Sequence, residues 1–518
     1  MSTFNPNNRS KFTFKHIKNV GFSEICQGKA PSNPDSSMDS LYRKIVERKP
    51  EHIKLLNMAQ HSSAINNVPR YMKSLEKCDK APVKPDNKRW DLAKEFTRQM
   101  YSAICQNCGA SDKVTYNPNT SNGCPAQRVV NPDTGVFFKN KGDLLNSSVG
   151  KDWIESMHTP LFQVTGKVEF LPDEEISEEK MRTFFAGDTS FIMKQKLMYD
   201  KMDELMLKNA KNFKRCWSRY GFTRQYGGFH ELAEAHMSLG IDSRGRKLFH
   251  KMTDISGWDR VLPIMAEVYE LRKELFGEMT LKQQVYHDHI AENITMPYCC
   301  LYNGQIIQRL CGNVSGSGKT TSDNTIAHTM IEFYAFITLF EEKQGRLPNY
   351  EEIVDFVIVS LYGDDDLGSF YLEDWTPDYL QTDLDRVDYY VKRYREIYGE
   401  FGLLIKEKAF NYQFGTIDGL EFLGGTLKYN HEQSRWCGAP RYSKISSSIC
   451  KVLEKERDII QYISILEAAL SLVYDVPTDE ARYIYSFLKD YAYQISKEPK
   501  FSEISINLQN FVCSVVSG

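Results

Sequence analysis

The pattern of hydrophobic and polar positions predicts two prominent helices in the chain. Residues 194–214 repeat apolar side chains at the spacing of a helix that buries one face. A longer helix is predicted after Thr320, where apolar side chains again recur every three or four residues. The apolar face of this second helix comprises Ile326, Met330, Phe333, Tyr334 and Ile337.

Two short segments have the pattern of strands instead. Residues 246–254 can form a strand that ends at Asp254. Residues 356–362 are apolar and rich in β-branched side chains, which is typical of a buried strand. Gly363 and the aspartates that follow it predict a tight turn directly after this strand.

The remaining segments are less regular. Residues 1–90 are polar and predict irregular segments joined by short helices. Residues 110–135 predict a loop because they are rich in Asn, Pro, Gly and Ser. From about residue 430 the pattern is mostly helical. The chain has 518 residues, 41% of them hydrophobic, so it can bury more than one core and we expect several subdomains.

Charge is unevenly distributed, although the net charge is only −3. Residues 1–100 hold 19 Lys and Arg against 10 Asp and Glu, whereas residues 341–400 are strongly acidic. This asymmetry fits one basic surface and one acidic, metal-binding pocket, with ordinary surface variation as the alternative. No apolar run of about 18 residues occurs, so no transmembrane segment is predicted. The polar start M-S-T-F-N-P-N-N does not predict a signal peptide.

The twelve cysteines are too few in so long a chain to form a disulfide scaffold, so we expect a reducing cytosol. Cys105 and Cys108 have the spacing of zinc ligands, and Cys78 or Cys124 could complete such a site. Because the chain contains no second C-x-x-C pair, we favour free thiols over a zinc site.

The most informative residues are aspartates in two segments that lie about a hundred residues apart. T-D-I-S-G-W-D contains Asp254 and Asp259, and V-I-V-S-L-Y-G-D-D-D ends in Asp364, Asp365 and Asp366. Carboxylates crowded at the end of a buried strand repel one another unless a cation lies among them. Hard oxygen ligands suit Mg²⁺ or Mn²⁺, and two such ions can stabilise both oxygens of a phosphoryl transfer. The sequence therefore predicts nucleotidyl transfer assisted by two metal ions.

The segment G-N-V-S-G-S-G-K-T-T-S-D-N-T lies between the two aspartate segments and has two interpretations. A phosphate-binding P-loop would need glycine where Asn313 stands, so an ATPase must explain a missing glycine. The pattern S-G-x-x-x-T-x-x-x-N is matched without a gap by Ser315, Gly316, Thr320 and Asn324. This second pattern resembles motif B of viral RNA-dependent RNA polymerases.

The resemblance extends to the other motifs of that family. Asp254 and Asp259 resemble motif A, and Y-G-D-D at 362–365 resembles motif C, so motifs A, B and C stand in the usual order. Lys167-x-Glu169 with Lys180-x-Arg182 resembles motif F, and T-S-N-G-C-P at 120–125, followed by K-G-D-L-L at 141, resembles motif G. F-G-L-L-I-K-E-K resembles motif D, and E-F-L-G-G-T at 421–426 resembles motif E. Gly424-Gly425 departs from the residues common in motif E. Over roughly residues 115–430, the chain resembles polymerases of positive-strand RNA viruses of the picornavirus-like kind.

The resemblance implies an α+β fold, the right-hand polymerase with palm, fingers and thumb. Its small antiparallel palm sheet, backed by helices, would carry Asp254 and the turn after Tyr362. The resemblance implies an N-terminal extension and the start of the fingers at 1–90, and further fingers at 91–245 and 262–312. The palm would comprise 246–261 with motif A and 313–430 with motifs B to E. The thumb would comprise 431–518.

The resemblance also implies catalytic roles. Asp254, Asp364 and Asp365 would bind two Mg²⁺ or Mn²⁺ ions that activate the primer 3′-hydroxyl and neutralise the triphosphate. A lysine near these ions could protonate the pyrophosphate leaving group, and we prefer Lys408 over Lys406 for this role.

Other residues would bind the nucleotide and the template. Ribose recognition is implied for Asp259, Ser315, Thr320 and Asn324, because an acceptor and an amide together can bond a 2′-hydroxyl. Triphosphate binding is implied for Lys167, Lys180 and Arg182. Template entry is implied for Ser121, Gly123 and Pro125.

Simpler structural roles remain open for several of these residues. Asn324 could cap the N-terminus of a helix. The basic residues assigned to motif F could form a solvated charged face, and the template-entry segment could be a plain turn. Asp366, which follows the usual aspartate pair, is either a further ligand or a solvated residue of the turn.

The implied function is replication of a viral RNA genome by RNA-directed RNA synthesis from NTPs, with release of pyrophosphate. The implied partners are RNA template, nascent RNA and NTPs, with viral replication proteins in addition and no DNA. The implied location is the host cell cytoplasm, in membrane-associated replication complexes. A reverse transcriptase, a P-loop ATPase and a catalytically inactive RNA-binding relative are the alternatives. Reverse transcriptases tend to place a bulky side chain where this chain offers Asp259 and Asn324.

Overall fold

The computed structural model describes residues 12–23, 27, 30–32, 53–58, 61–63, 66–167, 170–225, 227–240, 244–453 and 458–517. Within these ranges the chain forms four small sheets and many helices, so it is a mixed α/β protein. No helix in the described ranges is long and apolar enough to cross a membrane.

The strands are short, and most of them pair with neighbours in an antiparallel manner. In chain order they are β1 (Lys18–Phe22), β2 (His61–Ser63), β3 (Leu161–Gly166), β4 (Phe170–Pro172), β5 (Thr183–Ala186), β6 (Phe249–Ser256), β7 (Tyr298–Cys300), β8 (Gln305–Gln308), β9 (Val357–Tyr362), β10 (Asp365–Phe370), β11 (Leu404–Phe414), β12 (Glu421–Phe422), β13 (Gly425–Asn430) and β14 (Arg435–Pro440).

The helices range from single turns to a helix of 25 residues. In chain order they are α1 (Ile53–Met58), α2 (Val68–Glu76), α3 (Lys88–Cys105), α4 (Lys141–Leu145), α5 (Gly150–Glu155), α6 (Asp173–Ser177), α7 (Thr189–Lys208), α8 (Gly228–Met237), α9 (Trp258–Val261), α10 (Met265–Phe276), α11 (Leu281–Thr295), α12 (Thr320–Gln344), α13 (Glu351–Val354), α14 (Asp383–Gly399), α15 (Tyr442–Leu453), α16 (Ile459–Val473), α17 (Asp479–Ser496) and α18 (Ile506–Ser517).

The four-stranded sheet has the order β11-β6-β10-β9 and is antiparallel at every pairing. The buried strand predicted at 356–362 is confirmed as β9, and the tight turn after it joins β9 to β10. Gly363 has a φ of +65° in this turn, a conformation that residues with a Cβ rarely adopt. The prediction that the preceding strand ends at Asp254 is wrong by two residues, because β11 pairs with Ser256 and prolongs β6.

The long helix predicted after Thr320 is confirmed as α12. It is buried on all sides from Ser322 to Leu339, whereas its sequence predicts a single buried face. α12 packs against α3 and β9, as expected of a helix in the core of a large protein. Its polar side chains are tolerated in the core because they have partners; Asp323, for example, accepts hydrogen bonds from Arg272 and Tyr269.

The helix predicted at 194–214 is present as α7 but begins earlier, because Asp188 caps its N-terminus by accepting a hydrogen bond from the Phe191 amide. The loop predicted at 110–135 is confirmed and contains one short 3₁₀ turn. The prediction of a mostly helical region from about residue 430 is wrong for its first ten residues. β14 lies there and completes the sheet of β12, β13 and β14. Helices α15 to α18 then form a separate hydrophobic core.

The five-stranded sheet has the order β1-β8-β7-β3-β5, with β3 and β7 parallel and the other pairs antiparallel. Its outermost strand, β5, forms a single bridge from Ala186 to Gly316, in the segment that leads into α12. The sheet whose strands β3 and β5 flank the residues similar to motif F therefore contacts the segment that contains motif B.

Candidate active site

One cavity of about 770 Å³ collects most of the residues that the sequence singled out. Asp254 on β6, Asp364 in the β9–β10 turn and Asp259 in the first turn of α9 line one part of it. They converge because β10 pairs with β6 on one side and with β9 on the other, which brings the turn beside the end of β6. The aspartates of the two sequence segments therefore share a site.

The carboxylates in this cavity repel one another when no cation is bound between them. Burial, followed by repulsion from Asp259 and Asp254, raises the pKa of Asp364 to about 6, against the opposing effect of Arg182. Burial and the neighbouring Asp364 raise the pKa of Asp365 to about 7. A divalent cation would relieve this repulsion, and carboxylate oxygens are the donors that Mg²⁺ and Mn²⁺ prefer. The donor set thus fits the metal ions predicted from the sequence.

Asp365 is the first residue of β10, whereas Asp364 lies in the preceding turn. It is not part of the cavity lining, and Glu421 of β12 is one of its charged neighbours. Its assignment as a metal ligand stays a prediction.

The residues of motif B reach the cavity in two different ways. Asn324 and Ser315 line it, whereas Thr320 closes the preceding loop by donating to the Val314 carbonyl at 2.9 Å. Asn324 is the fifth residue of α12, so it is not the N-cap that we considered as an alternative. Its Oδ1 accepts a hydrogen bond from Asn313 Nδ2 at 3.0 Å, which fixes the orientation of the amide and leaves its Nδ2 for another acceptor.

The loop before α12 is attached to β5 at very short range. The Phe185 amide donates to Ser315 Oγ at 3.2 Å. A Cβ at Gly316 would lie 1.6 Å from the Phe185 carbonyl oxygen, so only glycine fits there without a shift of the backbone. Ser315 therefore has a structural contact in addition to its place in the cavity.

The basic residues of motif F line the same cavity as the aspartates. Lys167 and Arg182 are joined by a backbone hydrogen bond of 2.8 Å from the Lys167 amide to the Arg182 carbonyl. Lys180 forms an ion pair of 2.6 Å with Glu175, so part of its charge is already balanced. Lys167 and Arg182 are solvent-exposed, so their side chains can reach a ligand in the cavity, and their assignment to triphosphate binding stays a prediction.

Four further cations in the cavity lining were missed in the sequence: Arg70, Lys73, Lys77 and Arg260. The first three belong to α2 or directly follow it, at a spacing that places them on one helical face, which is the signal that could have revealed them. Burial and then repulsion from Arg260 lower the pKa of Lys77. The positive charges in this part of the cavity are therefore not fully balanced by nearby carboxylates.

The two lysines considered as proton donors differ in position. Lys406 lines the cavity, whereas Lys408 does not. Both lie in a bulge of β11, because Ile405 pairs with Ile255 and the next paired residue, Phe410, is opposite Thr253. The bulge removes the strict alternation that would place both lysines on one face.

The residues predicted for template entry lie outside this cavity, in a loop attached to the start of α7. Thr189 donates to the Asn122 carbonyl through its amide at 3.0 Å and its hydroxyl at 2.8 Å. A Cβ at Gly123 would meet the Gly187 carbonyl oxygen at 2.1 Å, and the Gly123 amide donates to Ser121 Oγ. Pro125 follows in the same loop, and the role of all three residues stays a prediction.

The lysine of the P-loop interpretation is not available to bind a phosphate. Lys319 is buried and forms ion pairs with Asp200 and Asp203 of α7, the latter at 2.8 Å. The preceding segment also lacks the P-loop glycine, since Asn313 orients Asn324 instead. The geometry therefore does not support the ATPase alternative.

Two further sequence interpretations need comment. Asp366 is neither a solvated turn residue nor part of the cavity, because it is buried and ion-paired with Lys251 of β6. Cys105 and Cys108 are buried and form no disulfide, and burial raises the pKa of both thiols. Among the described residues, the group whose atoms have metal-ligand spacing consists of His328, Glu332 and Asp366 and contains no cysteine.

Comparison with known proteins gives a family for the chain. The family model described as viral RNA-dependent RNA polymerase matches residues 66–461, which is more than the segment over which the motifs were recognised. The chain belongs to this family of viral RNA-dependent RNA polymerases. The resemblance to polymerases of positive-strand RNA viruses is thereby confirmed.

Curated relatives of this polymerase-family chain are large viral polyproteins. It is 23% identical over 305 residues to the non-structural polyprotein 1AB of Turkey astrovirus 2, covering 58% of the chain and 17% of the relative. For the corresponding polyprotein of Mink astrovirus 1 the values are 22% over 375 residues, 69% and 25%. The genome polyprotein of Bean yellow mosaic virus is 27% identical over 192 residues, covering 37% and 6%. The chain thus spans a quarter or less of these relatives.

Proposed function

We propose that the chain catalyses template-directed RNA synthesis, transferring nucleoside monophosphates from NTPs to an RNA 3′-hydroxyl with release of pyrophosphate. The observation that carries this proposal is the composition of one cavity. Asp254 and Asp364 lie in it together with the cations Lys167 and Arg182 and the oriented amide of Asn324. Such a cavity offers ligands for metal ions, for a triphosphate and for a sugar hydroxyl.

The chain's own groups divide the work of the reaction. Asp254 and Asp364 hold two Mg²⁺ or Mn²⁺ ions, which when bound supply charge neutralisation and activation of the 3′-hydroxyl. Arg182 offers a planar fork to the triphosphate and Lys167 a point charge. Asp259 and Asn324 bond the ribose 2′-hydroxyl, as an acceptor and a donor that a deoxyribose would leave unpaired.

The two lysines of β11 are candidates for protonating the pyrophosphate as it leaves. We now assign this role to Lys406 instead of Lys408, because only Lys406 lines the cavity. Lys77 and Arg260 line the same cavity as Lys167 and Arg182, and their positive charges would attract the triphosphate before it reaches the metal ions.

The fold supports assigning the right-hand architecture of palm, fingers and thumb. The antiparallel sheet β11-β6-β10-β9 with α12 behind it corresponds to the palm. The five-stranded sheet corresponds to the fingers, and helices α15 to α18 with their own core correspond to the thumb. Replication of a viral genome in membrane-associated complexes of the host cytoplasm, together with viral replication proteins, remains part of this proposal.

One assay tests the proposal against its alternatives. The purified chain is incubated with a primed RNA template, Mg²⁺ and labelled NTP or dNTP, and in parallel with ATP alone. We expect primer extension with NTPs. Preferential use of dNTPs would indicate a reverse transcriptase, and ATP hydrolysis without template would indicate an ATPase. RNA binding without any incorporation would indicate a catalytically inactive relative.

Replacement of Arg182 by alanine should raise KM for all four NTPs alike, because triphosphate contacts carry no information about the base. The increase should be about tenfold or more, since a hydrogen bond to a charged group contributes roughly 1.5–3 kcal/mol. Steady-state kinetics with each NTP gives the measurement, and Arg346→Ala, which changes an arginine paired with Glu352 outside the cavity, is the control. Loss of template affinity with unchanged KM would place Arg182 in the nucleic-acid channel.

Wild-type protein should prefer an NTP over the matching dNTP by about tenfold or more, because a buried unsatisfied polar group costs roughly 1–3 kcal/mol. Asn324→Ala should lower NTP use more than dNTP use and narrow this ratio. Single-nucleotide incorporation on one primed RNA template measures it. Asn313→Ala keeps the Asn324 amide and removes the hydrogen bond that orients it, so it should narrow the NTP/dNTP ratio less than Asn324→Ala does. Equal losses for both nucleotides in Asn324→Ala would contradict a role in sugar choice.

A further inference from the structure

A cluster of charged and phenolic side chains is buried directly beneath the proposed metal carboxylates. It joins Lys251 of β6, Asp366 of β10, Glu332 of α12 and Tyr394 of α14. Lys251 Nζ donates to Glu332 Oε1 at 2.6 Å, to the Tyr394 hydroxyl at 2.5 Å and to Asp366 Oδ2. All three ammonium hydrogens are thus used, and one cation connects four structural elements.

The cluster is attached to the strand that carries Asp254. Asp366 Oδ1 accepts hydrogen bonds from the Thr253 amide at 2.5 Å and from the Thr253 hydroxyl at 2.7 Å. Thr253 immediately precedes Asp254 in β6. The same carboxylate that receives the Lys251 ammonium therefore fixes the backbone next to Asp254.

A second set of hydrogen bonds attaches the cluster to the turn that carries Asp364. His328 lies one turn before Glu332 in α12 and bonds the Gly363 carbonyl through Nδ1 at 2.9 Å. Its Nε2 lies 3.1 Å from the Tyr398 hydroxyl, which in turn is 3.0 Å from the Tyr394 hydroxyl. Gly363 immediately precedes Asp364, so both proposed metal ligands follow a residue that the cluster holds.

The cluster has the ligands of a metal site but already contains a cation. His328, Glu332 and Asp366 offer ligand atoms within 4.8 Å of one another. The Lys251 ammonium is bonded to two of these groups, and both ring nitrogens of His328 have other partners. Burial by itself would lower the pKa of Lys251, but attraction by Asp366 and Glu332 outweighs it and raises the pKa. Lys251 therefore remains charged.

We propose that Lys251 is a positioning residue for the catalytic metal ions: its ammonium takes the place of a structural cation and fixes the separation of Asp254 and Asp364. The inference rests on the proposed function, because it concerns the ions that these two carboxylates bind. Without the ammonium, the buried carboxylates of Asp366 and Glu332 repel each other. This repulsion pushes β10 and α12 apart. The backbone next to both metal ligands then shifts with them.

The test compares Lys251→Met with Lys194→Met. Lys194 is also buried, and it donates to the Ser156 carbonyl at 2.5 Å and to Ser190 Oγ at 2.6 Å in a part of the molecule outside the cavity. Mn²⁺ binding is measured by electron paramagnetic resonance on nucleotide-free protein. We expect Lys251→Met to weaken Mn²⁺ binding by about 10- to 100-fold, as loss of a group that orients metal ligands does, and Lys194→Met to leave it unchanged. At saturating metal, kcat should fall in Lys251→Met while KM for NTP stays close to wild type.

Tyr394→Phe provides a milder variant in case Lys251→Met does not fold. It removes the hydroxyl that accepts from the ammonium and that bonds Glu332 and Tyr398, and it keeps every charge. It should weaken Mn²⁺ binding in the same direction and to a smaller extent. Wild-type Mn²⁺ affinity in folded Lys251→Met, or in Tyr394→Phe if the former does not fold, would overturn the inference. Asp364→Asn, measured alongside, distinguishes failure of the proposed metal site from failure of the positioning role of Lys251. Retained Mn²⁺ binding in Asp364→Asn would remove the proposed metal site itself, whereas lost binding there with wild-type affinity in Lys251→Met would remove the inference alone.

Discussion

RNA synthesis should fall by about three orders of magnitude or more in the Asp364→Asn variant, equivalent to about 4 kcal/mol of activation barrier. The substitution keeps the shape of the side chain and removes the charge on which both proposed ions depend. Burial and the neighbouring Asp259 and Asp254 raise the pKa of Asp364 to about 6, so the site disfavours the charged carboxylate and a bound cation would stabilise it.

The measurement is the elongation rate on a primed RNA template at saturating Mg²⁺. Asp378→Asn is a suitable control because Asp378 is 88% exposed, pairs with Lys343 and lies outside the cavity lining. It should retain the wild-type rate. Elongation by Asp364→Asn at a rate close to wild type would be incompatible with the two-metal assignment.

Gly316→Ala should reduce nucleotide incorporation by about 100-fold or more, because a displacement of about 1 Å at a reacting centre can have an effect of that size. The added Cβ would lie 1.6 Å from the Phe185 carbonyl oxygen, so the loop before α12 must lift away from β5. The hydrogen bond from the Phe185 amide to Ser315 Oγ would then be lost, and a shift of Asn313 in the loop would disturb the hydrogen bond that orients Asn324 in α12.

The matched control is Gly399→Ala at the end of α14, where a Cβ would have no neighbour within 4 Å. Incorporation rates and thermal unfolding should be measured for both variants. We expect Gly316→Ala to remain folded with a large loss of rate, and Gly399→Ala to keep both properties. A Gly316→Ala protein with normal incorporation would mean that contact with β5 is irrelevant to the site.

The sequence predicted those parts of the site that depend on local pattern. The apolar run before Gly363 could only be a buried strand followed by a turn, and the spacing from Ser315 to Asn324 placed a loop before a helix. Both elements are formed by residues close in sequence, so their pattern sufficed. A common site for Asp254 and Asp364 was inferred from the chemistry of crowded carboxylates and from the family resemblance, since strand pairing over a hundred residues leaves no local signal.

The features that the sequence did not predict depend on long-range contacts. Asp366 has the appearance of a turn residue until Lys251, from another strand, is placed beside it. Lys406 and Lys408 differ by two residues and look equivalent until a bulge in β11 separates them. Lys77 contributes to the cavity only because α2 folds back onto elements far along the chain. In each case pairing between distant segments decides the outcome.

The contact between β5 and the loop before α12 has a consequence for copying accuracy. Under the proposed roles, Arg182 just before β5 holds the phosphates and Asn324 after the loop senses the sugar, and Ser315 joins the two elements through the Phe185 amide. A nucleotide whose triphosphate is poorly seated therefore also misaligns the group that checks its ribose. Discrimination against a wrong substrate would then exceed the product of two independent checks, and substitutions at the contact should lower this discrimination as well as the speed of copying.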